Sequence, residues 1–170
     1  MNTISLQAER AVGGIAEAGA NVVWDAVLSE SGGIGYDADT GVVTLQEPGR
    51  YEFHWWVATQ AANAANGIVF TLTSSQGDTV IGNSPAKTGE VTGTAVLEIP
   101  SAPVSVTLKN ESGGAVFYSA VVPAKAALTV VGDTAAVPSY GAFRHDPSEG
   151  GGYIEENTNI IFNQVIGEYA

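Results

Sequence analysis

Near its end the chain writes part of its beginning again. The window Asn21-Val22-Val23-Trp24-Asp25-Ala26-Val27-Leu28-Ser29-Glu30 aligns without a gap on Asn159-Ile160-Ile161-Phe162-Asn163-Gln164-Val165-Ile166-Gly167-Glu168. Asn, Val and Glu are identical at the first, seventh and tenth places, and Val/Ile, Trp/Phe, Asp/Asn and Leu/Ile are close replacements. Every pair stands 138 positions apart, and Gly13-Gly14-Ile15 lies opposite Gly151-Gly152-Tyr153 at the same spacing. A chain of 170 residues has room for one domain of ordinary size. The second copy therefore stops after the opening strands. The reading is a domain over 1–134, a linker over 135–140 and a partial repeat over 141–170, either a donated segment or the start of a tandem domain. About thirty residues with a few strands cannot bury their own apolar face. Phe143, Ile160, Ile161, Phe162, Val165 and Ile166 then need cover from elsewhere, which makes them candidate subunit-interface residues.

The rest of the chain reads as strands separated by turns. In Tyr51-Glu52-Phe53-His54-Trp55-Trp56-Val57-Ala58-Thr59, the residues Tyr51, Phe53, Trp55 and Val57 share one face, and Glu52, His54, Trp56 and Ala58 the other. Trp56 on the second face predicts a strand covered on both sides and joins the candidate interface. Further strands are expected at 41–45, 67–73, 79–81, 91–99, 104–108, 115–118 and 127–131, with turns at Glu47-Pro48-Gly49-Arg50 and Ser74-Ser75-Gln76-Gly77-Asp78. Asn110 to Gly114 reads as a hairpin-type loop, and the Ala-rich stretch 58–66 as a loop. Eight to ten short strands in about 130 residues predict a sandwich or jelly roll.

Composition removes several function classes. Six Lys and Arg face 18 Asp and Glu, a net charge of −12, which argues against a nucleic-acid partner or an anionic membrane surface. Hydrophobic residues make up 45% and charged ones 14%, the balance of a chain with a core and not of a disordered acidic tail. With no cysteine, disulfides, thiolate zinc sites and cysteine nucleophiles are excluded. No apolar run reaches the roughly 18 residues of a membrane-spanning helix, and Met1 to Gln7 lacks the charged and apolar regions of a secretory signal. A location outside the cell would then be reached without a visible signal.

Residues 21–57 resemble the globular head of the q subunits of the first complement component, a family sharing the tumour-necrosis-factor-like jelly roll. The carriers are Asn21-Val22-Val23-Trp24-Asp25-Ala26-Val27, then Tyr36, then Asp39-Thr40-Gly41, then Pro48-Gly49-Arg50-Tyr51-Glu52-Phe53-His54-Trp55. The chain departs from the pattern at Trp24 and Val43, where Phe is usual, and by one extra residue before Tyr36. Val104 to Asn110 and Ala127 to Val131 also look like the heads of bacterial collagen-like spore-surface proteins, and Tyr140 to Arg144 like the start of the family's first strand. The resemblance implies an all-β, ten-stranded jelly-roll sandwich that trimerises, with Asn21–Val27 opening an inner strand and Tyr51–Val57 facing the trimer axis. It implies no activity. It leaves open whether Ile4–Glu9 or Ala142–Asp146 fills the first-strand slot.

Chemistry-bearing residues are few. His54 and His145 have no nucleophile-elbow context and read as structural. Asp37 and Asp39 in Asp37-Ala38-Asp39-Thr40-Gly41 are weak candidates for calcium, because the third ligand and the terminal bidentate Glu of a calcium loop are missing, and a β-turn is the plainer reading. Glu155-Glu156 would point to opposite faces of a strand. Gly32-Gly33-Ile34-Gly35 and Gly150-Gly151-Gly152 precede no helix that could hold phosphate. Trp55 and Trp56 read as core or interface rather than a sugar platform. No catalytic residue and no cofactor is assigned, calcium apart.

Two functions follow. One is a non-enzymatic structural subunit of an extracellular filament or appendage, joined to its neighbour by the C-terminal strand segment. The other is a trimeric ligand-recognition head of a spore-surface, cell-surface or virion protein. Both make copies of the chain its partner, with no nucleic acid and no membrane insertion.

Overall fold

A computed structural model describes residues 3–134, 140–144 and 164–169, with side chains described over 4–134. Two compact units divide the chain at Ala135/Ala136. The first holds twelve strands: β1 (Thr3–Arg10), β2 (Ile15–Ala16), β3 (Ala26–Ser31), β4 (Ile34–Asp37), β5 (Val42–Leu45), β6 (Gly49–Ala62), β7 (Ile68–Ser74), β8 (Thr79–Ser84), β9 (Gly89–Ile99), β10 (Val104–Asn110), β11 (Val116–Tyr118) and β12 (Ala126–Asp133). The second holds β13 (Tyr140–Arg144) and β14 (Gln164–Tyr169). The linker residues 135–139 and the positions Ile160, Ile161 and Phe162 lie outside the described residues, as do His145, Glu155-Glu156 and Gly150 to Gly152.

The first unit is an all-β jelly roll of two antiparallel sheets. β4-β5-β10-β7-β8 form the five-stranded sheet, and β2-β11-β6-β12-β1-β3, with β9 also on β6, the seven-stranded one. Tyr51 of β6 opposes Leu97 of β9 and Gly132 of β12, so β9 and β12 flank β6 on opposite edges. The core between the sheets follows from strand alternation. Tyr51, Phe53, Trp55 and Val57 of β6 are buried, as are Ile4, Leu6 and Ala8 of β1 and Leu128 and Val130 of β12. Each such large side chain contributes about 1.5–3 kcal/mol relative to exposure. Trp55 fits because β9 approaches it at Gly93, where a Cβ would overlap the indole.

Three expectations are corrected. The segment 21–25 forms no continuous strand: Asn21 makes an isolated antiparallel bridge to Lys109, Val22 N donates to Leu108 O, and the ladder with β1 starts at Ala26. Tyr36 Oη accepts from Trp24 N at 2.7 Å and donates to Trp24 O at 2.8 Å, so the Trp24 backbone is satisfied by a side chain and not by a neighbouring strand. Its alternation survives: Val22 and Trp24 are buried, and Trp24 packs edge-on against Tyr36 with ring centroids 5.9 Å apart. The stretch 58–66 is not all loop. β6 runs on to Ala62 because β11 pairs with it from Tyr118↔Thr59 to Val116↔Ala62. Asn110 to Gly114 is no hairpin, since β10 and β11 lie in different sheets. The crossing is held by buried Asn110, whose Nδ2 donates to Ala16 O, Glu17 O and Gly114 O while Oδ1 accepts from Ser112 N. The expected jelly-roll sandwich is present, its described strands in the first unit including short pieces such as the two-residue β2.

β1 fills the first-strand slot, paired with β12 from Thr3↔Asp133 to Arg10↔Ala126 and with β3 on its other edge. β3 ends the sheet on that side.

Candidate functional site

Alternation along β6 sends its odd-numbered residues inward and leaves a second row on the outer face of the seven-stranded sheet. Trp55 is 2% exposed in the core, whereas Trp56 stands half-buried on the outer face, so the two indoles form no shared platform. Trp56 lies opposite Thr92 on β9 and Ala127 on β12. His54 lies opposite Thr94 and Thr129. These residues line a shallow groove of ≈ 190 Å³. Around Trp56 the face is uncharged, but the registers also set Arg50 and the acids Glu9, Glu52, Glu90, Glu98 and Asp133 on it. His54 Nε2 lies 2.8 Å from Glu52 Oε1, an exposed pair that compensates its own charge when the ring is protonated, and His54 Nδ1 is 3.3 Å from Thr94 Oγ1. Val131, 47% exposed, continues the face along β12. The central patch of Trp56, Thr92, Thr94, Ala127 and Thr129, with charged residues toward its margins, suits packing against another protein surface. Trp56 was legible from the sequence; Thr92, Thr94, Ala127 and Thr129 were not, because they reach it only through strand partners far away in the chain.

Asp37 and Asp39 sit in the turn between β4 and β5. Asp37 Oδ1 accepts from Asp39 N at 2.9 Å, and Oδ2 accepts from Thr40 Oγ1 at 2.7 Å. The Thr40 hydroxyl first, then the Asp39 amide, hold the Asp37 carboxyl below its ordinary value. Gly41 closes the turn at φ +74°. Both Asp37 oxygens thus serve the turn itself. Among the described residues no three His, Cys, Asp or Glu side chains gather as a metal cluster.

The second unit places Phe143 on β13 and Val165 and Ile166 on β14. Its pairing copies that of β1 with β3. In the first unit Gln7↔Ser29 is followed by Ala8↔Val27, so Leu28 is skipped in a bulge. In the second, Ala142↔Gly167 is followed by Phe143↔Val165, so Ile166 is skipped. Ile166 is the residue that the sequence repeat aligns with Leu28. The hairpin therefore shares with the first one a register, a direction and a bulge at the matched position.

No family model matches the chain, and no curated protein sequence does. Solved structures match instead. The globular domain of zebrafish complement 1qA superposes with a TM-score of 0.54 at 18% identity, over 78% of this chain and 98% of that one. The chain has the jelly-roll fold of complement heads and tumour-necrosis-factor-like proteins. Eiger TNF from S. frugiperda matches this jelly roll at a TM-score of 0.55 and 12% identity, over 81% of this chain and 97% of that one. The vertex protein P5 of PRD1 matches it at 0.50 and 16%, over 77% and 96%. At such identities the shared property is the architecture, and the jelly roll's function has to be argued from its own surfaces.

Proposed function

We propose that this chain is a non-enzymatic jelly-roll head that self-associates, as a trimer, through the outer face of its seven-stranded sheet, and serves as a recognition or capping module on a spore, cell or virion surface. The observation that carries the reading is Trp56, a large indole left half-buried with Thr92, Ala127, Thr129 and His54 around it on the outer face. A half-covered indole ringed by small residues is the kind of anchor that a protein interface completes. The likeness to complement-type heads and to a virion vertex protein supports the architecture of such a module. The sparse chemistry supports a non-enzymatic role: the His54–Glu52 pair and the Thr94 hydroxyl beside it lie exposed on an open face, and Asp37 is engaged in its turn.

Sedimentation tests the trimer. The expected mass is three times the 17.4 kDa of one chain, and Trp56→Lys should convert it to monomer while the fold, read by circular dichroism, persists. A monomeric parent chain, or a trimer indifferent to Trp56→Lys, would refute the reading.

A second reading has its own support. In it the C-terminal segment links heads into a filament or appendage by strand addition. The matched register and bulge of β1–β3 and β13–β14 favour it, because they give the chain a spare edge hairpin of its own kind.

A further inference from the structure

We propose that the β13–β14 hairpin of one copy docks by β13 along the open edge of β3 in a second copy, extending the seven-stranded sheet. The inference rests on the reading that the C-terminal segment links heads, and names the edge that receives it.

A two-stranded hairpin is at best marginally stable in water and requires a further strand or surface. β1 meets that requirement by pairing with β12 on the edge away from β3. β13, which holds the place of β1 in its own hairpin, would need an antiparallel neighbour on the corresponding edge. Taking over the slot of β1 on β12 is a poor fit. The shared bulge sets Phe143 against Ala8 and Gly141 against Leu6. Leu6 and Ala8 are both fully buried, so the exchange would leave a void at one position and overfill the next.

The outer edge of β3 imposes no such match. β12 and β3 are both antiparallel to β1, so they run in the same direction. The step from β12 to β1 to β3 can therefore recur as a step from β3 to β13 to β14, a translation of two strands that preserves strand direction and keeps the same face of the hairpin toward the core side. Exposure also favours β3. Val27 and Leu28 are 45% and 54% exposed, and β3 contains neither Lys nor Pro, the residues that commonly protect an edge from pairing. Among the other edge strands, β2 exposes Ile15 alone over only two residues, β8 exposes Ile81 alone, and β4 and β9 expose no large aliphatic residue.

Charge supplies an independent signature. Residues 1–134 hold 5 cations and 13 acids, a net of −8, and residues 135–170 hold 1 and 5, a net of −4. Donor and acceptor repel, so association through this contact should strengthen as salt screens the repulsion.

The absence of native cysteine permits a direct test in the full chain. One chain carries Ser29→Cys on β3. A second, distinguished by a size tag, carries a single cysteine at Gly141, Ala142 or Phe143 on β13. The two are mixed and oxidised, with Ser101→Cys as an exposed control in place of Ser29→Cys. Docking predicts a disulfide between the two chains for at least one β13 position, with a yield on the order of tenfold or more above the control and rising with ionic strength. No enrichment over the control overturns the proposal. So does an intrachain disulfide in a chain carrying both cysteines when mixed single variants fail to cross-link. Sedimentation of the parent chain separates the levels: association without the β3–β13 cross-link refutes this docking and leaves self-association standing, whereas a monomer refutes both.

Discussion

β1–β3 and β13–β14 are two hairpins with one register and unequal support. In the first, β12 lies along β1 for eight residue pairs, and Ile4, Leu6 and Ala8 are fully buried in the core. In the second, pairing with one another is the only strand pairing that β13 and β14 show among the described residues. The register, down to the residue skipped at Leu28 and at Ile166, is common to both. Pairing pattern is thus local information that a short window can carry. Stability is not local, because it comes from the sandwich against which the hairpin is packed.

The largest expected contrast comes from truncating one large apolar residue in each of the corresponding strands β1 and β13. Leu6→Ala removes a buried side chain of β1 and should lower the unfolding free energy of the first unit by about 2–5 kcal/mol. Phe143→Ala in β13 should leave that transition within about 0.5 kcal/mol of the parent while reducing self-association. Urea unfolding followed by Trp fluorescence reads the first effect and sedimentation the second. An equal loss of stability from both substitutions would break the contrast.

Next in size is a steric test of how firmly the first unit is packed. Gly93→Ala places a methyl group into the Trp55 indole and should cost about 1–3 kcal/mol in the same urea experiment. A neutral result would show that β9 yields easily and that the first unit is nearer to the hairpin in rigidity than its burial implies. Trp56→Lys, on the outer face of the same strand, should change the unfolding free energy by less than about 1 kcal/mol, because its side chain is already half in water. Its effect should appear in the sedimentation mass.

The smallest effect belongs to the β4–β5 turn. The Asp37 carboxyl is held below its ordinary value by the Thr40 hydroxyl and the Asp39 amide. A depressed carboxyl contributes stability that is fully present above the ordinary carboxylate range and disappears as the pH falls through the depressed value. Asp37→Asn should therefore be slightly less stable than the parent at neutral pH, with the gap closing in acid. Thermal melts from pH 7 down to pH 2 check this, and a gap that widens in acid would contradict it.

The all-β jelly roll was legible because large residues alternate in its strands: Tyr51, Phe53, Trp55 and Val57 are read inward from sequence and are buried. The errors arose where backbone groups found partners outside a simple ladder. Trp24 is satisfied by the Tyr36 hydroxyl, Asn110 binds the carbonyls of Ala16 and Glu17 far back in the chain, and β6 is lengthened by β11, which follows it by more than fifty residues. None of these partners leaves a signal in the window it affects. The proposed interface face was half legible for the same reason. Trp56 is conspicuous by its size on the wrong side of an alternating strand, whereas Thr92 and Ala127 are ordinary residues until the registers place them beside it. The repeat announced the second hairpin, yet its bulge became visible only when both pairings could be compared.

Amide hydrogen exchange on the full chain, followed across a range of protein concentrations, tests the dependence of the second hairpin on another copy most directly. The account predicts that protection in β1 and β3 is high and independent of concentration, while protection in β13 and β14 is low in dilute solution and rises as copies associate. Strong protection of β13 and β14 at every concentration, or none at any, would contradict it.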